Sequence, residues 1–547
     1  LTTVVRVPAI VLVPLALGSL LTAGRVAAVG HQSPVPEYVG SDACVPCHKA
    51  MADNYAQTAM ARTSGPAGPN LIEGSFHHQR SGVSYRLYRE GETPRLSYDR
   101  AGGLPLHGTQ DLKYYVGSNT RGRTYLFEID GFLYQSPINY YAAKGVWDMS
   151  PGYAQLTEME LNHPVDATCL FCHSSRAQRP IEGTVNRFAG DAFLQPGVGC
   201  ERCHGPGSEH VAGRRSLVNP ARLTGARRDD VCMQCHLEGV ARIAKAGHRE
   251  EDYRPGDNLN DVLAIFVRDD AGRGGLGAVS QFEALAQSAC KRASGDAFGC
   301  ITCHDPHVRV ASADKADFYR SKCLSCHAKM ATGHHARQPD CTTCHMPSLG
   351  SADISHTAVT DHRIVKSERH DRSPASPIQT LTQFGGASAD PRDLGLAYGE
   401  LALRGNASAA HESFRLLTQA VRDGKDDADV LTRLGYLYLV QGDLTEAERL
   451  YTRALERDPT RAVVATDLGV LYASHGMLSR ALPLWRGAFE RNPQLTDLGI
   501  NLGKGLCDSG DTTGAREAVR RALQHNPDSR TARQLMAALT DSVCPPH

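Results

Sequence analysis

The sequence predicts a mainly α chain in two unlike parts. The first is a long region of short helices and loops, with little regular secondary structure and a small antiparallel β insert. The second is an α-helical solenoid. Three observations carry this expectation. Cys-x-x-Cys-His recurs seven times between residues 44 and 345, alternating runs flank Asp130-Gly131, and small residues recur every 34 positions after residue 434.

The chain opens with a short basic start, Leu1 to Arg6, and a mainly apolar run to Ala23. Arg25-Val26-Ala27-Ala28 then supplies small residues for cleavage. This reads as a secretory signal over residues 1–28. The apolar run is short and broken by Pro8 and Pro14, so it is poorly suited to a permanent span. The expectation is an exported protein, periplasmic or extracellular at the cell surface, with no stable membrane span after cleavage. Lys plus Arg equals Asp plus Glu, 59 against 59, so the charge points to no nucleic acid partner.

Residues 31–370 form the next expected unit. Cys-x-x-Cys-His is the attachment signature of c-type haem. Two thiols add across the porphyrin vinyl groups, and the adjacent histidine turns onto the iron. The seven motifs are Cys44/Cys47/His48, Cys169/Cys172/His173, Cys200/Cys203/His204, Cys232/Cys235/His236, Cys300/Cys303/His304, Cys323/Cys326/His327 and Cys341/Cys344/His345. Zinc knuckles or a disulfide framework would not need a histidine after every second cysteine. The expected cofactor is therefore heme c, seven copies, covalently attached, each with its iron. Their propionates would make the assembled protein acidic unless Arg and Lys pair with them.

A β insert is expected at about 71–140. Val83 to Tyr88 alternates in strand fashion. Arg123–Ile129 and Phe132–Ile138 are joined by Asp130-Gly131, a two-residue hairpin signal.

The second axial ligands decide the function class. An iron held by two histidines only passes electrons, whereas one held by a single histidine can bind a substrate. The region offers thirteen histidines outside the motifs. His210 follows a Gly-Pro-Gly turn after the third motif, and His307 ends Cys303-His304-Asp-Pro-His307. His356 and His362 follow the last motif. One of His334 and His335, taken as His335, joins His77 and His163 to complete the set of expected distal ligands. No motif ends in Lys, and no catalytic residue is assigned.

Residues 371–393, rich in Ser, Pro, Gly and Ala, read as a linker. In residues 394–540, Gly435, Gly469 and Gly503 share the 34-residue interval with Ala454, Ala488 and Ala522 and with Pro459, Pro493 and Pro527. That is the tetratricopeptide period, one helix–turn–helix per unit, each Pro closing a second helix. Such arrays bind peptides or partner proteins. Cys507 and Cys544 are close enough in this tail to pair, and Cys290 is left over near the fifth motif.

Gly199-Cys-Glu-Arg-Cys-His-Gly-Pro-Gly-Ser-Glu-His210, Cys300-Ile-Thr-Cys-His-Asp-Pro-His307 and Asp340-Cys-Thr-Thr-Cys-His-Met-Pro347 resemble exported multihaem c-type cytochromes. The kind they resemble includes the tetrahaem carrier of ammonia oxidation, with the hydroxylamine oxidoreductases as more distant relatives. The resemblance spans about residues 40–365. It implies stacked and perpendicular haem pairs, mostly bis-His, with His210 and His307 as ligands crossing between haems. The expected function is electron transfer along closely packed haems. Redox partner proteins, or self-association into a filament through the haem domain or repeats, would complete it. The alternative is an oxidoreductase acting on a small nitrogen or sulfur compound at one five-coordinate haem.

Overall fold

The computed structural model describes residues 37–268, 280–332, 340–348, 360–366, 380–386 and 388–541. The expected signal at 1–28 lies outside them.

The β insert is larger than the sequence suggests. Eight strands run from Ser64 to Met149: β1 (Ser64–Pro66), β2 (Gly74–His78), β3 (Val83–Glu90), β4 (Thr93–Arg100), β5 (Leu106–Val116), β6 (Gly122–Ile129), β7 (Phe132–Tyr141) and β8 (Val146–Met149). They form an antiparallel meander from β2 to β8, with β1 added on β5. The expected hairpin is present. Ile129 pairs with Phe132, and Asp130 and Gly131 both take positive φ, as a tight turn between twisted strands requires. Along β3, Val83, Tyr85 and Leu87 are buried while their neighbours are less so. These residues join Leu96, Phe127, Phe132 and Tyr134 in one core. Two glycines let aromatic rings lie flat on the sheet: a Cβ at Gly108 would meet the Tyr98 ring, and one at Gly74 the Trp147 ring.

Two smaller sheets follow. β9 (Ser174–Ala177) pairs with β10 (Phe193–Pro196), and β11 (Ala241–Ala244), β12 (Leu263–Arg268) and β13 (Leu381–Gln383) make a three-stranded sheet. β13 lies inside the stretch read as a linker. Leu381 is buried, and backbone pairing with Phe266 to Arg268 ties the segment to the sheet. With thirteen strands among the described residues, the first part is richer in sheet than a mainly α reading implies.

The remaining elements of the first part are short helices that carry the cysteine motifs. From Pro391 the texture becomes helical. Four helical hairpins span Pro391–Arg422, Ala428–Arg457, Ala462–Arg491 and Thr496–His525, and a further helix, Arg530–Thr540, packs on the last. The second helices of three hairpins stop two residues before Pro459, Pro493 and Pro527. The repeated glycines allow close crossing, since a Cβ would meet Tyr451 at Gly435, Trp485 at Gly469 and Val519 at Gly503.

The solenoid is docked on the first part at both of its ends. Ala241, Ala264, Phe266 and Leu381 share a core with Ala397, Tyr398 and Leu416 of the first hairpin. At the far end, buried Asp528 accepts hydrogen bonds from Arg100 Nη1 (2.9 Å) and Met159 N (2.8 Å). His525, fully buried, has Nδ1 2.9 Å from Tyr134 Oη. No helix among the described residues is long and apolar enough to cross a membrane.

Candidate functional site

The cysteine motifs sit on short helices, some of them fixed by local side-chain bonds. Asp166 caps the second motif's helix, accepting from Cys169 N at 3.1 Å. Asp340 accepts from Thr342 N at 2.9 Å at the seventh motif. After His204 the chain turns through Gly205, whose φ of 77° ends the helix and turns the chain toward His210.

Glu201 joins the first motif to the third. Its buried carboxylate accepts from Val39 N (2.9 Å), Gly40 N (2.7 Å) and Gly207 N (2.7 Å). Ser41 Oγ adds a bond from Cys200 N at 3.1 Å. Sequence reasoning misses this clip, although Glu201-Arg202 is the one charged x-x pair among the seven motifs. It misses Arg202 as well. The Arg202 guanidinium lies 3.6 Å over the Phe171 ring of the second motif and donates to Phe171 O at 3.0 Å, while Gln234 of the fourth motif bonds Arg202 O at 3.2 Å.

Three motif histidines face a second imidazole. His48 faces His210 with ring centroids 6.4 Å apart and planes within 21°. His204 faces His307 at 6.0 Å and 21°, and His304 faces His362 at 6.3 Å and 33°. A metal–imidazole bond is about 2.0–2.1 Å. One iron therefore holds two ligating nitrogens about 4 Å apart, and the two half-rings account for the rest. The separations fit an iron between each pair.

The other ring nitrogens fit the same role. Nδ1 of His204, His345 and His362 each lies 2.8 Å from a carbonyl oxygen, of Val218, Val365 and Thr360 respectively. A carbonyl only accepts, so Nδ1 carries the proton and Nε2 presents a lone pair, the tautomer an iron ligand needs. Thr63 Oγ1 stands against His173 Nδ1 at 2.8 Å, and Tyr319 Oη against His304 Nδ1 at 3.2 Å.

Other expected ligands are placed differently. His77 is exposed on β2 with Nδ1 3.0 Å from Ser84 Oγ, and His163 packs on the Tyr153 ring. Among the described residues neither meets a motif imidazole. Strand pairing fixes His77 on the outside of the sheet. His335 and His356 lie outside the described residues. His236 and His327 face no second imidazole among the described residues.

Thiols of different motifs also come close. Cys44 lies near Cys200, Cys172 near Cys235, Cys232 near Cys300, and Cys323 near Cys341. Cys203 stands beside Cys235, and Cys303 beside Cys326 and Cys290. The motifs therefore neighbour one another in the order first, third, fourth, fifth, sixth, seventh, with the second attached to the third and the fourth. Burial, and then the neighbouring thiol, pushes Cys44, Cys203 and Cys323 up to about 11.

Among the described residues Cys47, Cys169 and Cys344 have no thiol of another motif beside them. All three are expected attachment thiols, yet the neighbouring motif lies near Cys44 in the first, Cys172 in the second and Cys341 in the seventh. Cys47 is exposed and Cys344 half-buried. Each belongs to a motif at one end of the row, where a neighbouring motif flanks one side only. None of the fourteen motif cysteines forms a disulfide. Cys507 is disulfide-bonded, and its expected partner Cys544 lies outside the described residues.

The donor set thus fits covalent porphyrin better than a bare ion. Among the described residues no group of three or more His, Cys, Asp or Glu could hold a metal by itself. A cleft of about 590 Å³ opens beside His304, and Arg62, Arg309 and Lys315 in its lining are suited to propionates.

Comparison with known proteins agrees in outline. Residues 146–205, which include the second and third motifs, match the family model of cytochrome c554 and c-prime, and residues 428–461 match the tetratricopeptide repeat. The multiheme cytochrome MtrA of Shewanella baltica is 23% identical over 247 residues, 41% of this chain and 60% of its own length. The dissimilatory sulfite reductase MccA of Wolinella succinogenes is 23% identical over 440 residues, 65% of this chain and 58% of its own. The chain thus spans about three fifths of the length of the curated relatives it matches. A solved MamA from Desulfovibrio magneticus RS-1 aligns with 28% of the chain and 87% of its own at 20% identity and a TM-score of 0.26. Taken with the motifs, the sequence matches support a multihaem c-type cytochrome joined to tetratricopeptide repeats.

Proposed function

We propose that this chain is an exported cytochrome with seven covalent haems, most of them bis-His, that carries electrons from one haem to the next. The observation that carries the reading is the pairing of His48 with His210, His204 with His307 and His304 with His362 at 6.0–6.4 Å. Each second imidazole comes from the segment that follows another motif, so neighbouring haems share chain segments. The nearness of thiols in successive motifs supports the same reading. When bound, haem iron supplies a one-electron couple. The chain's own work is to space the haems, hold each imidazole in its tautomer and bury the ring edges. The docked solenoid leaves its remaining surface for redox partner proteins or a second copy.

Intact mass and a pyridine haemochrome count test this. Seven haems per chain are expected, with ferric spin-resonance signals dominated by low-spin iron. A colourless chain would remove the proposal. A second reading is an oxidoreductase acting on a small nitrogen or sulfur compound. It is favoured by His236, whose far side is not closed by a described histidine, and by the likeness to a protein named as a sulfite reductase.

A further inference from the structure

We infer that Asp305 and Tyr319 grade the potentials of two haems: the Asp305 carboxylate beside His307 holds the third haem low, and the Tyr319 hydroxyl beside His304 leaves the fifth higher. The inference rests on the covalent-haem reading above and names residues that give its electron path a direction.

The first observation is one tetrapeptide that serves both centres. In His304-Asp-Pro-His307, His304 faces His362 at the fifth motif with ring centroids 6.3 Å apart, while His307 faces His204 of the third at 6.0 Å. The helix Cys300–Cys303 ends there, with His304 extended at φ −106° and ψ 137°. Pro306 disfavours helical backbone at Asp305. The turn so made sends the two imidazoles to different motifs.

The second observation is what stands at the other nitrogen of each imidazole. Asp305 follows His304 in the chain, yet its carboxylate turns forward. Its Oδ1 accepts from His307 N at 2.9 Å and lies 3.3 Å from His307 Nδ1. His304 Nδ1 meets instead the Tyr319 hydroxyl, at 3.2 Å. The facing ligands are matched, because Nδ1 of His204 and of His362 each lies 2.8 Å from a carbonyl oxygen. The contrast between the two pairs is thus a carboxylate at His307 against a phenol at His304.

That contrast has a sign. A negative group at Nδ1 makes an imidazole more basic toward a metal at Nε2, which favours ferric over ferrous iron and lowers the potential. A neutral phenol oxygen polarises the ring less. The Asp305 side chain is 51% exposed, so solvent screens part of its charge, but close approach to His307 keeps the rest. Tyr319 is held by packing. Its ring stands edge-on to His304 with centroids 5.6 Å apart and to Phe318 at 5.2 Å. It also belongs to the helix Lys315–Leu324, which runs into the sixth motif. One electron passing from the third centre to the fifth oxidises the first of these, reduces the second and runs downhill.

The test is a redox titration of the full-length holoprotein followed by ferric spin resonance, with Asp305→Asn and Tyr319→Phe. Asparagine keeps an acceptor for His307 N without the charge, and phenylalanine keeps the ring packing without the hydroxyl. Each variant should retain the haem count and the low-spin signals while one midpoint rises, a different one in each and further for Asp305→Asn. The double variant should show both rises. In the native protein the midpoint that Asp305→Asn moves should be the lower of the two. Asp305→Ser and Tyr319→Leu remove the same groups and serve where the first pair does not fold. A midpoint that stays put or falls at either position overturns the inference while leaving electron transfer intact. The same midpoint moving in both variants, or the reverse native order, also overturns it. A protein without haem fails the underlying reading instead.

Discussion

Replacing Glu201 with Gln should loosen the first haem from the third. The native carboxylate holds three backbone donors, on Val39, Gly40 and Gly207, at 2.7–2.9 Å in a buried position. Hydrogen bonds to a charged group contribute about 1.5–3 kcal/mol each, and neutral ones about 0.5–1.5. Removing the charge therefore costs about 1 kcal/mol per bond, or about 3 kcal/mol in all. An amide also offers a single acceptor oxygen, so one backbone N–H faces an amino group. The loss is local, because residues 37–41 and the Gly205–His210 turn hold His48 and His210 in register. The assay is denaturant unfolding of the holoprotein, read beside the low-spin ferric signals. The unfolding midpoint should fall, and one low-spin signal should broaden or convert toward high spin. Glu209→Gln is the control, since Glu209 pairs with exposed Arg214 in a solvent-screened surface bridge. If Glu201→Gln matches that control within about 0.5 kcal/mol, the clip does not hold the two motifs together.

Further outcomes follow from the docking of the solenoid and from its packing. Burial holds the His525 imidazole down at about 4, against an ordinary value of about 6.5. Between these values the unfolded chain binds a proton that the folded chain refuses, so stability is full above about pH 6.5 and falls as pH drops toward 4. The whole effect amounts to about 3 kcal/mol, and His525→Gln should flatten this acid limb in a pH series of thermal melts. Asp528→Ala leaves Arg100 partly buried and unpaired, which should cost about 3–5 kcal/mol and speed proteolysis between the solenoid and the sheet. Gly469→Ala drives a methyl into the Trp485 ring and should cost about 1–3 kcal/mol, visible as a shift in tryptophan emission and a lower melting temperature.

The haem motifs and the helical repeats are readable because their chemistry dictates spacing. Two thiols must reach one porphyrin edge, and a helical hairpin repeats its glycine where the next helix crosses. The sheet is only partly readable. β5 carries Gly108 among polar residues and looks like a loop until the Tyr98 ring is seen lying over it. β13 is three residues long and becomes a strand only by pairing with β12, more than one hundred residues earlier. The axial ligands divide the same way. His210 and His307 follow their motifs at tight turns that can be read locally, but which iron each one faces depends on loop return. His77 looks available in sequence because nothing local reveals that β2 turns it away from the motifs.

The solenoid's attachment at both ends has a mechanical consequence. A beam bolted to the same casing at two points resists flexing of whatever lies between the bolts. Here the bolts are the shared core around Phe266 and Tyr398 at one end and Asp528 with His525 at the other. On the proposed electron-transfer reading, where tunnelling falls steeply with each added ångström, a brace that damps breathing would keep the hopping distances, and hence the conductance, steady as temperature changes.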